Sequence, residues 1–189
     1  MTDQQTDLDI DHLRFVKAFE RPPIAHIPAN TLYFEAGPLR IGVEYRELNE
    51  EIMAQVYGAE SAARYMADQA ERLGMSEAEP TSDLGDSGVS IHVFDAATGV
   101  EHLRFDDLDH NRHYHYLRAD GRHGVVWFDN VANGDLVPWV LSTLGDRVGP
   151  MLELAGATEL AARVDYAALA AVLPQVESAA RAQAVQPSV

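Results

Sequence analysis

The chain has 189 residues, 14 basic and 30 acidic side chains, a formal charge of −16 and no cysteine. Thirteen of the basic residues are arginine, and Lys17 is the single lysine. These counts exclude disulfides, thiolate nucleophiles, Cys-rich zinc knuckles and iron–sulfur clusters. They leave a Schiff base only to Lys17, and without a Gly-Lys pair there is no P-loop. So negative a charge also opposes non-specific binding to nucleic acid or anionic lipid.

The length suits about one domain of roughly 100–200 residues. Residues 1–11 are polar and acidic, and a flexible tail is expected there. No basic region precedes an apolar run, and no window approaches the ~18 apolar residues of a membrane span. A soluble cytoplasmic protein is therefore expected. In residues 12–20, Leu13, Val16 and Phe19 stand at helical spacing, closed by Pro22-Pro23. Two runs rich in branched and aromatic residues then flank Ala36-Gly37-Pro38, which predicts a hairpin over 31–46. In its second arm Leu39, Ile41, Val43 and Tyr45 alternate with Arg40, Gly42, Glu44 and Arg46, the pattern of a strand with one wet face.

Residues 47–73 carry a helical stripe through Ala62, Tyr65, Met66 and Leu73, and Gly74 suits a C-cap. Residues 75–88 are acidic and rich in Pro, Ser and Gly, which predicts a mobile loop. Four strand-like runs follow between 89 and 129. The first two are joined across Ala96–Gly99 and the last two by Asp120-Gly121, a strong hairpin signal. From Asp135 the pattern turns helical. Asp135, Asp146 and Asp165 are candidate N-caps, helix ends are expected near Gly145 and Gly156, and Pro174 is placed to start a final helix. Residues 183–189 are expected to form a second flexible tail. Strands first and helices later predict an α+β fold. It would be a meander sheet of about five or six strands (31–46 plus 89–129) covered by helices from 47–73 and 135–182, one domain over 12–182.

Six of the eight histidines lie between 92 and 123, around Asp106-Asp107-Leu108-Asp109-His110-Asn111-Arg112-His113-Tyr114-His115-Tyr116. Strand alternation sends His113 and His115 to one face and Tyr114 and Tyr116 to the other. Two imidazoles about 6.5–7 Å apart along a strand can close on one metal ion. A carboxylate or third histidine would complete a facial triad with open positions for substrate. Asp106, Asp107 and His110 are candidates from the preceding turn, and His92 and His102 from neighbouring strands. If Asp95 pairs with Val100, His92 opposes Leu103 and Val93 opposes His102, so only one of the two histidines could share the face. The expected metal ligands are thus His113 and His115, with His92, His102 and Asp106 in reserve. The ion is a divalent Fe, Mn, Zn, Ni or Cu, since the ligands are nitrogen and oxygen. His113-Tyr114-His115 resembles the His-x-His strand of cupin metal sites, over those three positions alone.

Two other readings use the same region. In a metal-free acid–base enzyme (an isomerase, dehydratase or cyclase), His113 or His115 is the base. Asp106 or Asp107 orients it, and Tyr114 or Tyr116 is a candidate oxyanion donor. In a non-catalytic protein, Trp127, Phe128, Val131, Leu136 and Trp139 would form a homodimer face or the wall of a ligand pocket, their commoner role being core. The glycines form no dinucleotide fingerprint and Ser87 lacks the nucleophile-elbow spacing, so no nucleotide or flavin is expected. The expected partner is a small-molecule substrate or ligand, with neither nucleic acid nor membrane.

Overall fold

The computed structural model describes residues 16–20, 22–60, 62–63, 67 and 85–185. The expected tail at 1–11 and the 75–84 part of the expected loop lie outside them.

The fold is α+β, an open seven-stranded antiparallel sheet with helices packed on one face. The strands are β1 (Val16–Phe19), β2 (Thr31–Ala36), β3 (Leu39–Leu48), β4 (Asp86–Asp95), β5 (Glu101–Leu108), β6 (Arg112–Leu117) and β7 (His123–Trp127). The helices are α1 (Glu50–Tyr57), α2 (Asn130–Asn133), α3 (Leu136–Leu154), α4 (Thr158–Ala161) and α5 (Tyr166–Ala184). The hairpin glycines sit where predicted. Gly37 and Gly121 take positive φ (63° and 91°), a conformation that costs a residue without Cβ little.

Strand order is β1-β7-β6-β5-β4-β3-β2. Strands β2 to β7 form the expected meander, and β1 is the addition to it. Residues 16–19 pair with β7, Val16 opposite Val126 and Phe19 opposite His123, where helical spacing had pointed to a helix. Available strand partners outweigh a weak local pattern in so short a run. The addition governs the topology, because it puts β1 on one edge and β2 on the other. At about 4.8 Å per strand the edges stand ~29 Å apart. The connection must cross the sheet to join them; in its described part, residues 22–30, it passes over Arg46 and Arg104 and ends in a 3-10 turn at Pro28–Asn30 before β2.

The apolar face carries Leu39, Ile41, Val43, Val89, Ile91, Val93, Leu103, Phe105 and Tyr116, packed against Leu136, Val140, Leu144, Val148 and Leu152 of α3 and Leu169, Val176 and Ala180 of α5. The helices are longer than expected. α3 runs through Gly145 and Asp146 without a break, and α5 runs through Pro174 and on to Ala184. The sheet needs cover along its full length, and packing an apolar stripe outweighs an isolated Gly or Pro. Gln183, expected in the tail, is buried against the Val43 carbonyl. Asp165 caps α5 as expected, accepting from Ala167 N and Ala168 N. Asp135 stands at the N-cap of α3 without a side-chain cap bond.

The expected helix from 47 begins at Glu50, since Glu47 and Leu48 still belong to β3. None of the described side chains of α1 joins the main core cluster, whereas α3 and α5 pack along it. Asp86–Gly88, expected in the loop, open β4. Among the described residues no helix is long and apolar enough to cross a membrane.

Candidate metal centre

The face turned away from α3 and α5 is polar, and it is buried. Two rows of cross-strand neighbours run over it. The first is Thr31, Glu44, Ser90, Asp106, His113, Trp127, and the second is Tyr33, Gly42, His92, Arg104, His115, Val125. Glu44 (1% exposed), Arg46 (7%), His92 (0%) and Arg104 (2%) are shut away from solvent, which corrects the reading of this alternation as a wet face. The cover comes in part from the crossing segment. The Ile24 carbonyl accepts from Arg104 Nη1 (2.7 Å) and Arg46 Nη2 (3.1 Å), and Ile27 N donates to Glu44 Oε1 (2.7 Å).

Asp106, His113 and His115 meet on β5 and β6, with one ligand atom of each inside a 4.8 Å circle. Asp106 stands opposite His113 and Arg104 opposite His115. From Asp106 Oδ2 it is 3.0 Å to His115 Nε2 and 3.3 Å to His113 Nε2. The other carboxylate oxygen, Oδ1, accepts from Ser90 Oγ. His113 Nδ1 lies 2.8 Å from the Asn111 carbonyl. A carbonyl only accepts, so Nδ1 carries the hydrogen and Nε2 of the neutral ring presents a lone pair to Asp106. Two acceptors thus face each other at 3.3 Å, an arrangement that requires a cation between them, either a proton or a metal ion. Metal bonds of ~2.0–2.2 Å set neighbouring ligand atoms about 3.0–3.5 Å apart in octahedral or tetrahedral sites. The two Asp106 contacts match that spacing.

Protonation fits as well. Burial pushes His115 down to about 3, so it is neutral at ordinary pH. Burial works against ionisation of Asp106, yet the neighbouring His113 and His115 rings hold its carboxyl well below the usual range. Metal ligation needs a neutral imidazole and an ionised carboxylate. The His115 Nδ1 is buried without a hydrogen-bond partner.

The other candidates fall outside this cluster. Between Val93 and Phe94 the β4–β5 register shifts, so His92 opposes Arg104 and not Leu103. His92 does lie on the His113 face, but its Nδ1 meets Glu101 (2.7 Å) and its Nε2 faces Glu44 (3.3 Å). His102 stands at the shift without a β4 partner and engages the Leu117 backbone. Asp107 points away and pairs with Arg112 (2.7 Å), and His110 is exposed. Tyr114 and Tyr116 lie on the helix face as alternation predicted, and that removes them as oxyanion donors. Tyr114 packs on Phe105 and Trp139, and burial raises the phenol of Tyr116 above its usual range.

Ser90, Asn111 and the Glu44–Arg46–Glu101–Arg104 network escape sequence reasoning. The only signal for them is polar residues at alternate strand positions. His113 keeps 13% of its side chain exposed and touches Trp127, whose exposure is 41%. A shallow cleft lined by Asn111, Trp127 and Phe128, among others, adjoins it. Leu136 is core and Phe128 and Trp139 pack on it, whereas Trp127 and Val131 are exposed.

Residues 33–180 match the family described as a domain of unknown function, DUF7700. The chain belongs to that family. No curated protein and no solved structure matches it. The DUF7700 region contains Asp106, His113, His115, Ser90 and both arginines of the polar face, but neither β1 nor the crossing segment. Cupins are double-sheet jelly rolls, whereas this sheet stays open, so the likeness ends at the His-x-His tripeptide.

Proposed function

We propose that the chain is a small enzyme that holds one divalent transition-metal ion on Asp106, His113 and His115 and acts on a small organic molecule. One observation carries the reading: the acceptor atoms His113 Nε2 and Asp106 Oδ2 face each other at 3.3 Å, with the His113 tautomer set by the Asn111 carbonyl. Orienting partners of this kind, here the carbonyl on His113 and the Ser90 hydroxyl on Asp106, are what ligating histidines and carboxylates require. Bound there, the ion would supply Lewis acidity and open positions for substrate. The chain's own residues orient His113 and Asp106 and keep bulk water from most of the site. The cleft beside Trp127 is the approach to the exposed edge of His113.

The same geometry gives the metal-free reading less support. A general base needs a nitrogen aimed at substrate. His113 Nδ1 is spent on Asn111, and His115 Nδ1 is sealed inside.

The test is metal content of untagged protein after exposure to Fe(II), Mn(II) and Zn(II) in turn. About one ion per chain is expected for at least one metal, with loss of binding in His113→Ala and Asp106→Ala. Metal-free wild-type protein after all three exposures, or His113→Ala with unchanged metal content, would sink the proposal.

A further inference from the structure

The carbonyl that sets the His113 tautomer belongs to a residue that the sheet itself does not hold. The β5–β6 ladder closes with Asp107 opposite Arg112, and the β6–β7 ladder with His113 opposite Trp127, so Asn111 stands just outside both. What holds it comes from β4, one strand removed. Asp86, the first residue of β4, is 2% exposed. Its Oδ2 accepts from Asn111 Nδ2 (2.9 Å) and its Oδ1 from the backbone N of His110 (3.1 Å). Ser87 adds two bonds to the same turn. Its carbonyl accepts from Asp109 N (2.9 Å), and its hydroxyl donates to Asp109 Oδ2 (3.2 Å). The turn 109–111 is thus clamped from β4, with the Asn111 carbonyl 2.8 Å from His113 Nδ1.

The residue type at position 86 fits this task. A buried carboxylate is costly unless its oxygens are satisfied, and both of these bonds come from neutral donors. Only a carboxylate offers an acceptor at each of two oxygens, whereas an amide places a donor at one of them. The clamp needs two acceptors, one for the His110 peptide and one for the Asn111 amide.

We infer that Asp86 is a positioning residue of the metal centre. Through His110 N and the Asn111 side chain it fixes the turn, and so aims the carbonyl that keeps the hydrogen on His113 Nδ1 and leaves Nε2 free to ligate. This rests on the metal reading above and extends the support of the site to β4, which carries none of the three ligands.

The experiment uses the full chain and two readouts. Nitrogen NMR of metal-free protein reports which ring nitrogen of His113 carries the hydrogen. Calorimetric titration with Fe(II), Mn(II) and Zn(II) in turn gives the affinity for the ion that binds most tightly. Wild-type protein should show a hydrogen on His113 Nδ1 and take up about one ion per chain. Asp86→Asn loses one acceptor, and Asn111→Asp sets two buried carboxylates against each other. Each variant should mix the two His113 tautomers and weaken metal binding about 10-fold. The double variant exchanges the two groups: the amide then donates from position 86 and the carboxylate accepts at position 111. It should recover the wild-type tautomer and come within about 3-fold of the wild-type affinity.

If wild-type protein takes up none of the three ions, the metal reading fails and this inference falls with it. If an ion binds, an unchanged His113 signal in Asp86→Asn, or a loss of affinity that the double variant does not recover, overturns the role of Asp86 and leaves the metal site standing. Should a single variant not fold, Asn111→Ala decides. It keeps the carbonyl and cuts only its tie to Asp86, so mixed tautomers and weakened binding are expected, and a wild-type tautomer in it overturns the inference.

Discussion

Ser90 illustrates how much at this site depends on side chains that ligate nothing. Its hydroxyl occupies Asp106 Oδ1 and leaves Oδ2 for the two histidines. Removing it leaves a buried carboxylate oxygen unsatisfied and frees the carboxylate to rotate. Ser90→Ala should therefore weaken metal binding about 10–100-fold, measured by calorimetric titration, with the ligands themselves intact. The tyrosines between the histidines make the opposite case. Tyr114→Phe and Tyr116→Phe change only the helix face, so metal affinity should stay as it is in wild-type protein. A loss of binding in either variant would show that the two faces communicate. The orientation of these four side chains was legible from alternation along one strand. Ser90 was not, because its partner lies sixteen residues away on a different strand.

Among the elements, β4 carries the tightest constraint. A Cβ on Gly88 would stand 2.1 Å from the carbonyl oxygen of Asp107 and 2.8 Å from Cα of Leu108, both backbone atoms of β5. Neither can yield without moving the strand that bears Asp106. Gly88→Ala should cost at least ~1–3 kcal/mol, seen as a lowered urea midpoint, and should weaken metal binding as well. Gly42 is less severe. Its added Cβ meets the Thr31 methyl at 2.9 Å and the Phe94 ring at 3.0 Å, which are side chains able to shift. The element-level surprises share a cause. A glycine or proline suggested a helix boundary at Gly145 and Pro174, but each helix lies along a long apolar sheet face, and its burial outweighs the local penalty. The register shift at Val93/Phe94 is of the same kind, since one extra residue on β5 changes what His92 faces.

For the molecule as a whole, the buried ionic face implies sensitivity to acid. Burial works against ionisation of Glu101, but the Arg104 charge and hydrogen bonds and the His92 hydrogen bond outweigh it and hold the carboxyl far below its usual range. Its folded-state pKa is thus lower than its unfolded value of ~4.3. Below that value the unfolded chain binds the proton and the folded chain does not. The stabilisation is complete above about pH 4.3 and is lost progressively as the pH falls. Urea midpoints measured between roughly pH 6 and 3 should drop towards acid in wild-type protein. Glu101→Gln should be less stable at neutral pH, with a flatter profile. Metal binding should act in the other direction. An ion present at ~100-fold its dissociation constant adds about 2.7 kcal/mol to the folded state, so the melting temperature should rise with metal and fall back with a chelator.

The chain's own pattern determined the meander of β2 to β7, its hairpin turns, the change from strands to helices after Asn133, and the separation of His113 and His115 from Tyr114 and Tyr116. All of these follow from local periodicity and turn chemistry, which act over a few residues. Only the tertiary structure decided that the polar face is an interior. That outcome depends on β1 pairing with β7, more than a hundred residues away, and on the crossing segment this forces over Arg46 and Arg104. Local spacing carries no record of such a contact, so Glu44 and Arg46 read as wet positions until the strands were paired.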